Sequence, residues 1–304
     1  MQATIIVGRC RSRLAGRWLG LFAVALLWST AAFATERGAL FKVSDKGRTL
    51  YLFGTMHVGQ PGFYPFEPRL AALVAAAPTL ALEVDPTADP HVAARAMQQH
   101  GLAPPGMAPP PAMAPRLARA LQQAGIDPQA VAPYKPWLIA TVLAIGEFTR
   151  LGYDGALAVD SKLAALARDK RVKVIELESI DSQLALFDSL PLQAQWDFLD
   201  ETLTDMESGK HRDEARQIAA AWAGADRAAL DAIAARLESD TTVSGTFMRE
   251  VLLYGRNGAL TDAMIALMGR ENNSVAAIGV LHLVGKRSVP QLMRARGLTV
   301  EQIY

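Results

Sequence analysis

The chain has 304 residues, of which 51% are hydrophobic, and its 31 lysines and arginines against 30 aspartates and glutamates give a formal net charge of +1. This balance excludes the strongly basic surface that nucleic acid or an anionic membrane requires. The length allows one large globular domain or two small ones, with a core of its own.

The first 34 residues have the layout of a secretory signal peptide. Four arginines at positions 9, 11, 13 and 17 precede an apolar run over residues 18–28, and Ala32-Phe33-Ala34 provides a small-x-small cleavage site. The run is shorter than the ~20 residues of a spanning helix, so we favour a cleaved signal over a retained membrane anchor. The sequence predicts a cut after Ala34, a mature domain over residues 35–304 and a periplasmic or secreted location.

Removal of residues 1–34 changes two bulk properties of the chain. The formal net charge falls from +1 to −3, because the segment contains four arginines and no acidic residue. Cys10, the single cysteine, is also removed, so the mature chain is expected to form no disulfide and to depend on its core.

Strand-like segments are few and widely spaced along the mature chain. Residues 39–43 and 49–53 flank Asp45-Lys46-Gly47, a turn sequence that predicts a β-hairpin. The other predicted strands cover residues 79–84, 172–175, 274–279 and 298–303. Four of the six are nearly continuous apolar runs, which is typical of strands covered on both faces.

Helical periodicity occupies most of the sequence between these strands. The predicted helices cover residues 68–77, 136–146, 158–169, 193–207, 213–223, 225–238, 246–253, 259–268 and 289–296. The apolar helix over residues 136–146 is too short to cross a bilayer, so no transmembrane segment is predicted in the mature chain. The pattern predicts an α/β fold, in which a central mixed sheet takes strands from both ends of the chain and has helices on both faces.

Two parts of the predicted domain lie outside this alternation. Residues 185–270 form a helical region inserted between strands. Residues 90–150 form a variable part with helices and the proline-rich stretch 101–115, which we interpret as a connecting loop or a lid because its prolines lack backbone donors.

Two histidines have the same sequence setting. Gly54-Thr-Met-His57 follows one apolar strand and Gly279-Val-Leu-His282 follows another. A single such histidine is more often a structural residue bonded to the backbone, but two copies at strand ends favour a ligand-binding role. The carboxyl ends of strands are where open α/β sheets bind their ligands.

Two glutamates also end apolar strand-like runs. Glu83 closes Leu80-Ala-Leu-Glu83, and Glu178 follows the strand at residues 172–175. A carboxylate in such a place needs a cation, a donor or water, and a solvated strand end is the alternative. We expect His57, His282, Glu83 and Glu178 to converge on one divalent metal ion with an open position for water.

The signatures of several rival chemistries are missing from the sequence. It contains no His-Glu-x-x-His, no Gly-x-Ser-x-Gly, no phosphate-binding loop and no pair of Cys-x-x-Cys motifs. His211 and Glu214 are three residues apart on a charged helix start, where a solvated helix face is the better interpretation.

The motifs together resemble the TraB/GumN family, which includes bacterial pheromone-shutdown proteins and the animal Tiki proteases. The resemblance covers residues 39–304 and rests mainly on the segments 51–59, 82–85 and 279–285. Shorter matches follow in the family's order at Ala158-Val-Asp160, at Leu177-Glu178 with Gln183 after it, and at Arg256-Asn257. Two departures are an alanine at 158, where glycine is usual, and the lack of the membrane helices of the pheromone-shutdown members.

This resemblance implies a fold related to heme-binding ChaN and erythromycin-esterase-like proteins. It also implies peptide hydrolysis that depends on manganese or cobalt, with His57, His282 and Glu83 at the site. Arg256, Asn257 and Glu178 match family positions of less defined role.

Two functions remain open at the level of sequence. The first is a periplasmic metallopeptidase that uses manganese, cobalt or zinc, in which Glu83 is a ligand or general base and Arg256 or Asn257 stabilises an oxyanion. For the last two residues, a helix surface and a turn are the alternative, since Arg256-Asn-Gly258 is a turn sequence. The second function is a non-catalytic binding protein that sequesters a peptide or cofactor or assists exopolysaccharide export. A glycosidase is a distant third, because no paired catalytic carboxylates are visible.

Overall fold

The structure is a computed structural model that describes residues 35–304. The predicted signal peptide, with Cys10 and the cleavage site after Ala34, lies outside the described residues. The division of the chain into a signal and one domain therefore stays a prediction.

The strands of residues 35–304 form one mixed sheet of six. They are β1 (Leu40–Asp45), β2 (Arg48–Thr55), β3 (Thr79–Leu82), β4 (Lys173–Glu176), β5 (Ser274–Gly279) and β6 (Thr299–Gln302). Their order across the sheet is β4-β3-β5-β2-β1-β6. The predicted α/β class and the use of central strands from both ends of the chain are confirmed, since β5 lies between β2 and β3.

The direction of the strands divides the sheet into two parts. β4, β3, β5 and β2 run parallel to one another, whereas β1 pairs antiparallel with β2 and β6. The predicted hairpin joins β1 to β2 through Lys46 and Gly47, which both have positive φ, at 47° and 77°. Two adjacent residues with positive φ define the tight turn that matches the twist of a hairpin.

Helices account for most of the remaining chain. The described residues contain α1 (Pro68–Ala76), α2 (Pro90–Gly101), α3 (Ala114–Ala124), α4 (Pro128–Val131), α5 (Pro136–Arg150), α6 (Val159–Asp169), α7 (Ile180–Asp188), α8 (Leu192–Ser208), α9 (Lys210–Ala223), α10 (Arg227–Ser239), α11 (Val243–Phe247), α12 (Gly255–Arg270) and α13 (Val289–Ala295). A π-helical segment, Met248–Tyr254, joins α11 to α12. Within this part of the chain, no helix is both long and apolar enough to span a membrane.

Helices cover the central strands on both faces. Every residue of β3 is buried, as are the first five of β5, and successive side chains of a strand point to opposite faces. α6 packs on β3 and β4, and α12 packs on β2 and β5. Trp222 of α9 is also buried against the sheet, where its indole nitrogen donates to the Gly54 carbonyl at 2.8 Å.

A second, smaller core lies in the helical part of the domain. It is built by α3, α5, α8 and the residue before α3, with Met113, Leu117, Leu121, Ile139, Leu143, Leu199 and Leu203 among its members. The apolar segment predicted at residues 136–146 is therefore a buried helix, as expected, and α5 continues four residues further to Arg150.

The sequence predicted helices within residues 90–150 but gave no bounds to α2, α3 or α4, and it missed α7. α2 buries little beyond Ala96 and His100, so its apolar periodicity is weak. α3 begins at Ala114 inside the proline-rich stretch, because a proline in the first turn of a helix lacks only a donor that would be unpaired there anyway. The segment between Gly101 and Ala114 is otherwise irregular, in agreement with a connecting loop.

Candidate functional site

The two Gly-x-x-His motifs lie side by side at the carboxyl edge of the sheet. In the parallel pairing of β2 with β5, Gly54 lies opposite Ile278 and Thr55 lies opposite Gly279. His57 follows the end of β2, and His282 lies in a short 3₁₀ turn, Val280–Leu283, directly after β5. The two repeats of the motif are therefore brought together by the register of a single strand pair.

Glu83 reaches the same edge from the neighbouring strand. Its backbone N–H donates to the Ala277 carbonyl at 3.1 Å, which continues the β3–β5 pairing by one residue. Its carboxylate is buried and accepts the Gly279 N–H at 2.8 Å through Oε2. The same oxygen is 3.9 Å from His282 Nε2, beyond hydrogen-bond distance.

Gly279 marks the point around which the three side chains converge. A Cβ added to this glycine would lie 3.4 Å from Glu83 Oε2, 3.6 Å from His282 Cδ2 and 3.8 Å from His57 Nε2. One small volume is thus bordered by two imidazole edges and one carboxylate. The structure brings together the three residues that the sequence placed at the site most firmly.

A buried aspartate on α6 holds His57 in place. His57 Nδ1 is 2.9 Å from Asp160 Oδ2, and Thr55 Oγ1 donates to the other oxygen of Asp160 at 2.7 Å. A carboxylate only accepts, so Nδ1 carries the proton and Nε2 faces the site. The carboxylate of Asp160 raises the pKa of His57 to about 9, against the smaller opposing effect of desolvation by the surrounding protein.

We expect Asp160→Asn to return the pKa of His57 towards its ordinary value of about 6.5. In chelator-treated protein, the pair contributes stability that is fully present below pH ~6.5 and is lost as the pH rises through about 9. Because the His57 side chain is 69% exposed, solvent screens the pair and the contribution is about 1 kcal/mol or less.

Titration of the His57 ring by NMR and urea unfolding between pH 6 and 10 would measure both quantities. Asp154→Asn is a suitable control, because Asp154 caps a turn by accepting the Ala156 N–H at 2.8 Å. An unchanged His57 titration in Asp160→Asn would contradict the role of this carboxylate.

An amide holds His282 in the equivalent way. His282 Nδ1 is 2.6 Å from Asn257 Oδ1, and Asn257 Nδ2 donates to the Arg287 carbonyl at 2.8 Å. That second bond sets the orientation of the amide, so the oxygen faces the imidazole and Nδ1 is the donor. Burial lowers the pKa of His282 to about 4, although Glu83 acts in the opposite direction. His282 is therefore neutral at pH 7, with Nε2 turned towards Glu83.

Arg256 links the two glutamates of the site. Its guanidinium pairs with Glu83 and Glu178 through one terminal nitrogen, and its Nε donates to Glu178 Oε2 at 3.0 Å. The other terminal nitrogen donates to the Leu252 carbonyl in the π-helical segment at 3.0 Å. Gln183 of α7 adds a second bridge, with its amide nitrogen 2.9 Å from Glu83 and 3.1 Å from Glu178.

These contacts keep Glu83 ionised. Burial alone would raise the pKa of Glu83, but several neighbours lower it, among which the imidazoles of His282 and His57, when protonated, act most strongly. Arg256 and the Gly279 N–H act in the same direction, so the pKa of this carboxyl lies well below its usual range. Glu83 is an acceptor at every pH at which the protein would normally work.

The positions of Arg256, Asn257 and Glu178 refine what the sequence predicted for them. The alternative of a turn at Arg256-Asn-Gly258 is wrong, because these residues lie in the first turn of α12 and Asn257 is buried. The polar groups of Arg256 and Asn257 are engaged with neighbouring side chains and carbonyls, an arrangement that favours orienting roles over direct oxyanion contact. Glu178 contacts Arg256 and Gln183 rather than the imidazoles.

The donor set fits a divalent cation chemically. Two imidazoles with Nδ1 held by a second residue and Nε2 facing a carboxylate form the arrangement in which histidines commonly bind metals. Asp160 and Glu83 both favour positive charge at His57, and a cation bound there would take the place of the Nε2 proton. Residues 35–304 nevertheless contain no group of three or more His, Cys, Asp or Glu side chains already close enough to hold an ion. His57 Nε2, His282 Nε2 and Glu83 would have to approach one another to do so.

Two residues of the site, Asp160 and Gln183, were not assigned a role from the sequence. Asp160 was noted only as part of a family motif. A signal was present, since position 160 continues the buried spacing of Leu163, Ala164 and Ala167 along α6. An acid on the apolar face of a helix needs a partner, and that rule identifies it.

A cavity of about 500 Å³ opens beside the site. His57, Glu83 and Asp160 lie on its wall, and the loop after β3 and the first turns of α2 and α7 form much of the remainder. An α/β protein that carries a histidine pair, a buried carboxylate and an adjoining cavity at the carboxyl edge of its sheet is the class that the fold and the site define.

Comparison with known proteins identifies the family of the chain. It belongs to the TraB/PrgY/gumN family, whose model matches residues 39–302. A protein of Escherichia coli (strain K12) and one of Shigella flexneri, both described as "Uncharacterized protein YbaP", are each 30% identical over 161 residues. The match covers 52% of this chain and 56% of each relative, so the chain spans just over half their length. No solved structure gives a significant match.

Proposed function

We propose that this protein is an exported, metal-dependent hydrolase that acts on peptides in the periplasm or outside the cell. The observation that carries the proposal is the convergence of His57, His282 and Glu83 around Gly279, where the site adjoins a cavity. His57 and His282 would hold the ion through Nε2, with Glu83 as third ligand or as base. Manganese, cobalt and zinc are the candidate ions.

The ion, when bound, would supply a Lewis acid that polarises a carbonyl and lowers the pKa of water. The residues of the chain itself perform the remaining tasks. Asp160 and Asn257 keep the Nδ1 proton on each imidazole and aim Nε2 at the reaction volume. Glu83 would accept a proton from water: its carboxylate is ionised at neutral pH, and the pairing with Arg256 that helps to keep it ionised also makes it a weaker base.

Arg256 serves this arrangement as a positioning residue. Its guanidinium pairs with both Glu83 and Glu178, and the first of these pairs holds the Glu83 carboxylate at the edge of the sheet. Its charge is neutralised by these two carboxylates, so Arg256 would act on the reaction by placing Glu83 and not by stabilising charge on a substrate carbonyl. The predicted role of Glu178 as a metal ligand is not favoured by its contacts with Arg256 and Gln183.

Metal binding tests the proposed ligands directly. We expect protein expressed from the full-length sequence to bind one divalent ion after dialysis against manganese, cobalt or zinc. His57→Ala and His282→Ala should each lower the affinity by more than about 100-fold, because loss of a ligand costs more than the 10–100-fold of a supporting residue. His91→Ala is the matched control, since this histidine is exposed and does not line the cavity.

The same preparations, incubated with a peptide library and each metal, separate the two candidate functions. Cleavage by wild type and its loss in both histidine variants would support the hydrolase. Tight binding of metal or peptide without cleavage would favour the non-catalytic binding protein. Absence of both metal binding and cleavage would show that the hydrolase is wrong, and full metal retention in His57→Ala would overturn the ligand assignment.

A further inference from the structure

The cavity beside His57 and Glu83 has mainly apolar walls. Val84, Pro86 and Ala88 line it from the loop after β3, Val92 and Ala93 from the first turns of α2, and Ile180 from the start of α7. Its volume of about 500 Å³ falls within the range of pockets that bind small ligands. The apolar surface is continuous with the candidate catalytic groups, because the same cavity includes both.

Val92 stands out among these wall residues. It is 40% exposed, although it is a large apolar side chain on a helix. Within the described part of the chain, Leu102, Ile145 and Leu192 are exposed to a similar degree, but none of these three lines the cavity. Val92 therefore presents apolar surface to the cavity that also contains His57 and Glu83.

The carboxylates that also line the cavity are already engaged. Asp85 accepts from the Thr87 N–H and hydroxyl and pairs with Arg168, and its own N–H donates to Glu176 at 2.9 Å. Asp89 caps the first turn of α2 by accepting the His91 N–H at 2.9 Å. These acids shape the loop and the helix start, and Asp85 has its cation within the protein. They disfavour an acidic substrate group and leave the apolar wall as the surface free for contact.

We propose that this cavity is a specificity subsite that accepts an uncharged aliphatic or aromatic side chain of the substrate, and that Val92 is its main determinant. The proposal rests on the proposed hydrolase function and adds the class of substrate side chain to it. A leucine or phenylalanine side chain in the cavity would bury apolar surface against Val92 and Ile180, with its backbone directed towards His57 and Glu83. Burial of that surface is the source of the selectivity.

The variant Val92→Asp tests the determinant without endangering the helix. Val92 is the third residue of α2, and an acidic side chain in the first turn of a helix is favourable. Leu192→Asp is the matched control, because Leu192 is 48% exposed, begins α8 and lies outside the cavity. Both variants add one negative charge to a first helical turn.

The experiment uses two readouts on protein expressed from the full-length sequence. Methyl NMR follows Val92 and Ile180 during titration with N-acetyl-leucine amide, N-acetyl-lysine amide and N-acetyl-glutamate amide, and a peptide library measures cleavage preference. We expect saturable shifts with the leucine amide and a Kd at least about 10-fold weaker for the other two, the effect of losing apolar contact in a pocket. Val92→Asp should remove this preference, and Leu192→Asp should keep it.

The two proposals fail in different ways. Selective binding of the leucine amide without cleavage of any peptide would remove the hydrolase and keep the apolar subsite. Cleavage with no preference for apolar side chains, or with the same preference in Val92→Asp, would keep the hydrolase and overturn the subsite. If the lysine amide bound as tightly as the leucine amide, the apolar subsite would also be overturned, and the carboxylates of the cavity would be the groups that select the substrate.

Discussion

Replacement of Glu83 by glutamine is expected to reduce hydrolysis by about 10³-fold while the protein remains folded. The side chain keeps its size and its place beside the Gly279 N–H, but it loses the ability to take a proton from water. General-base catalysis contributes 10²–10⁴-fold in enzymes. Loss of one charge from the Arg256 pair should also lower the free energy of unfolding by about 1–3 kcal/mol, since Glu178 still neutralises the guanidinium.

Glu178→Gln is the control that separates chemistry from structure. It removes the other carboxylate of the Arg256 pair, so its cost in stability should be similar, whereas its kcat should stay within about 10-fold of wild type. Peptide cleavage and urea unfolding of both variants would provide the comparison. Equal losses of activity would mean that the placement of Arg256, and not the carboxylate of Glu83, is what matters.

Acid unfolding independently tests whether Glu83 is ionised in the folded protein. The pKa of Glu83 is lower in the folded state than in the unfolded state, so its contribution to stability is present above pH ~4.5 and is lost as the pH falls below that value. The difference in stability between wild type and Glu83→Gln should therefore shrink between pH 5 and pH 3. A constant difference across this range would contradict the ionised state of Glu83.

Gly279→Ala is expected to abolish activity with little change in stability. The backbone at this position, with φ −50° and ψ 133°, is open to alanine. The new methyl would meet Glu83, His282 and His57 at 3.4–3.8 Å, which are ordinary contact distances. It would occupy the volume in which water, substrate or an ion must lie, so we expect a fall in activity of at least about 10²-fold, the cost of displacing reacting groups by an ångström.

Gly54→Ala, in the first motif, is expected to lower the stability of the protein, in contrast to Gly279→Ala. An alanine at Gly54 would lie 2.8 Å from Val280 Cγ2 and 3.1 Å from Val280 Cα, so the two motifs could no longer pack together. Overpacking of this kind costs about 1–3 kcal/mol. Thermal unfolding and metal affinity of the two variants would separate a stability defect at Gly54 from a site defect at Gly279. A large loss of stability in Gly279→Ala would contradict the open contacts around that residue.

The sequence alone was sufficient for the strands and the main ligand candidates. All six strands lie within two residues of their predicted ends, because short apolar runs between turn residues can bury their side chains only in a sheet. His57, His282 and Glu83 were identifiable because each follows such a run, and the carboxyl ends of parallel strands meet at one edge. The short helix α7 was missed and α2 was given no bounds, since few of their residues are buried and their periodicity is weak.

The partners of these residues were decided by the tertiary structure. Asp160 reaches His57 from α6, Asn257 reaches His282 from α12, and Arg256 joins Glu83 to Glu178. Each pair joins residues from different elements, and a local pattern does not encode which elements will pack together. The sequence by itself determined which side chains stand at the strand ends, because that depends on local burial and strand period. The register of β2 against β5 and the packing of α6 and α12 decided which Nδ1 meets a carboxylate and which meets an amide, and how deeply each imidazole is buried. Burial and these partners together decide which imidazole carries charge at neutral pH.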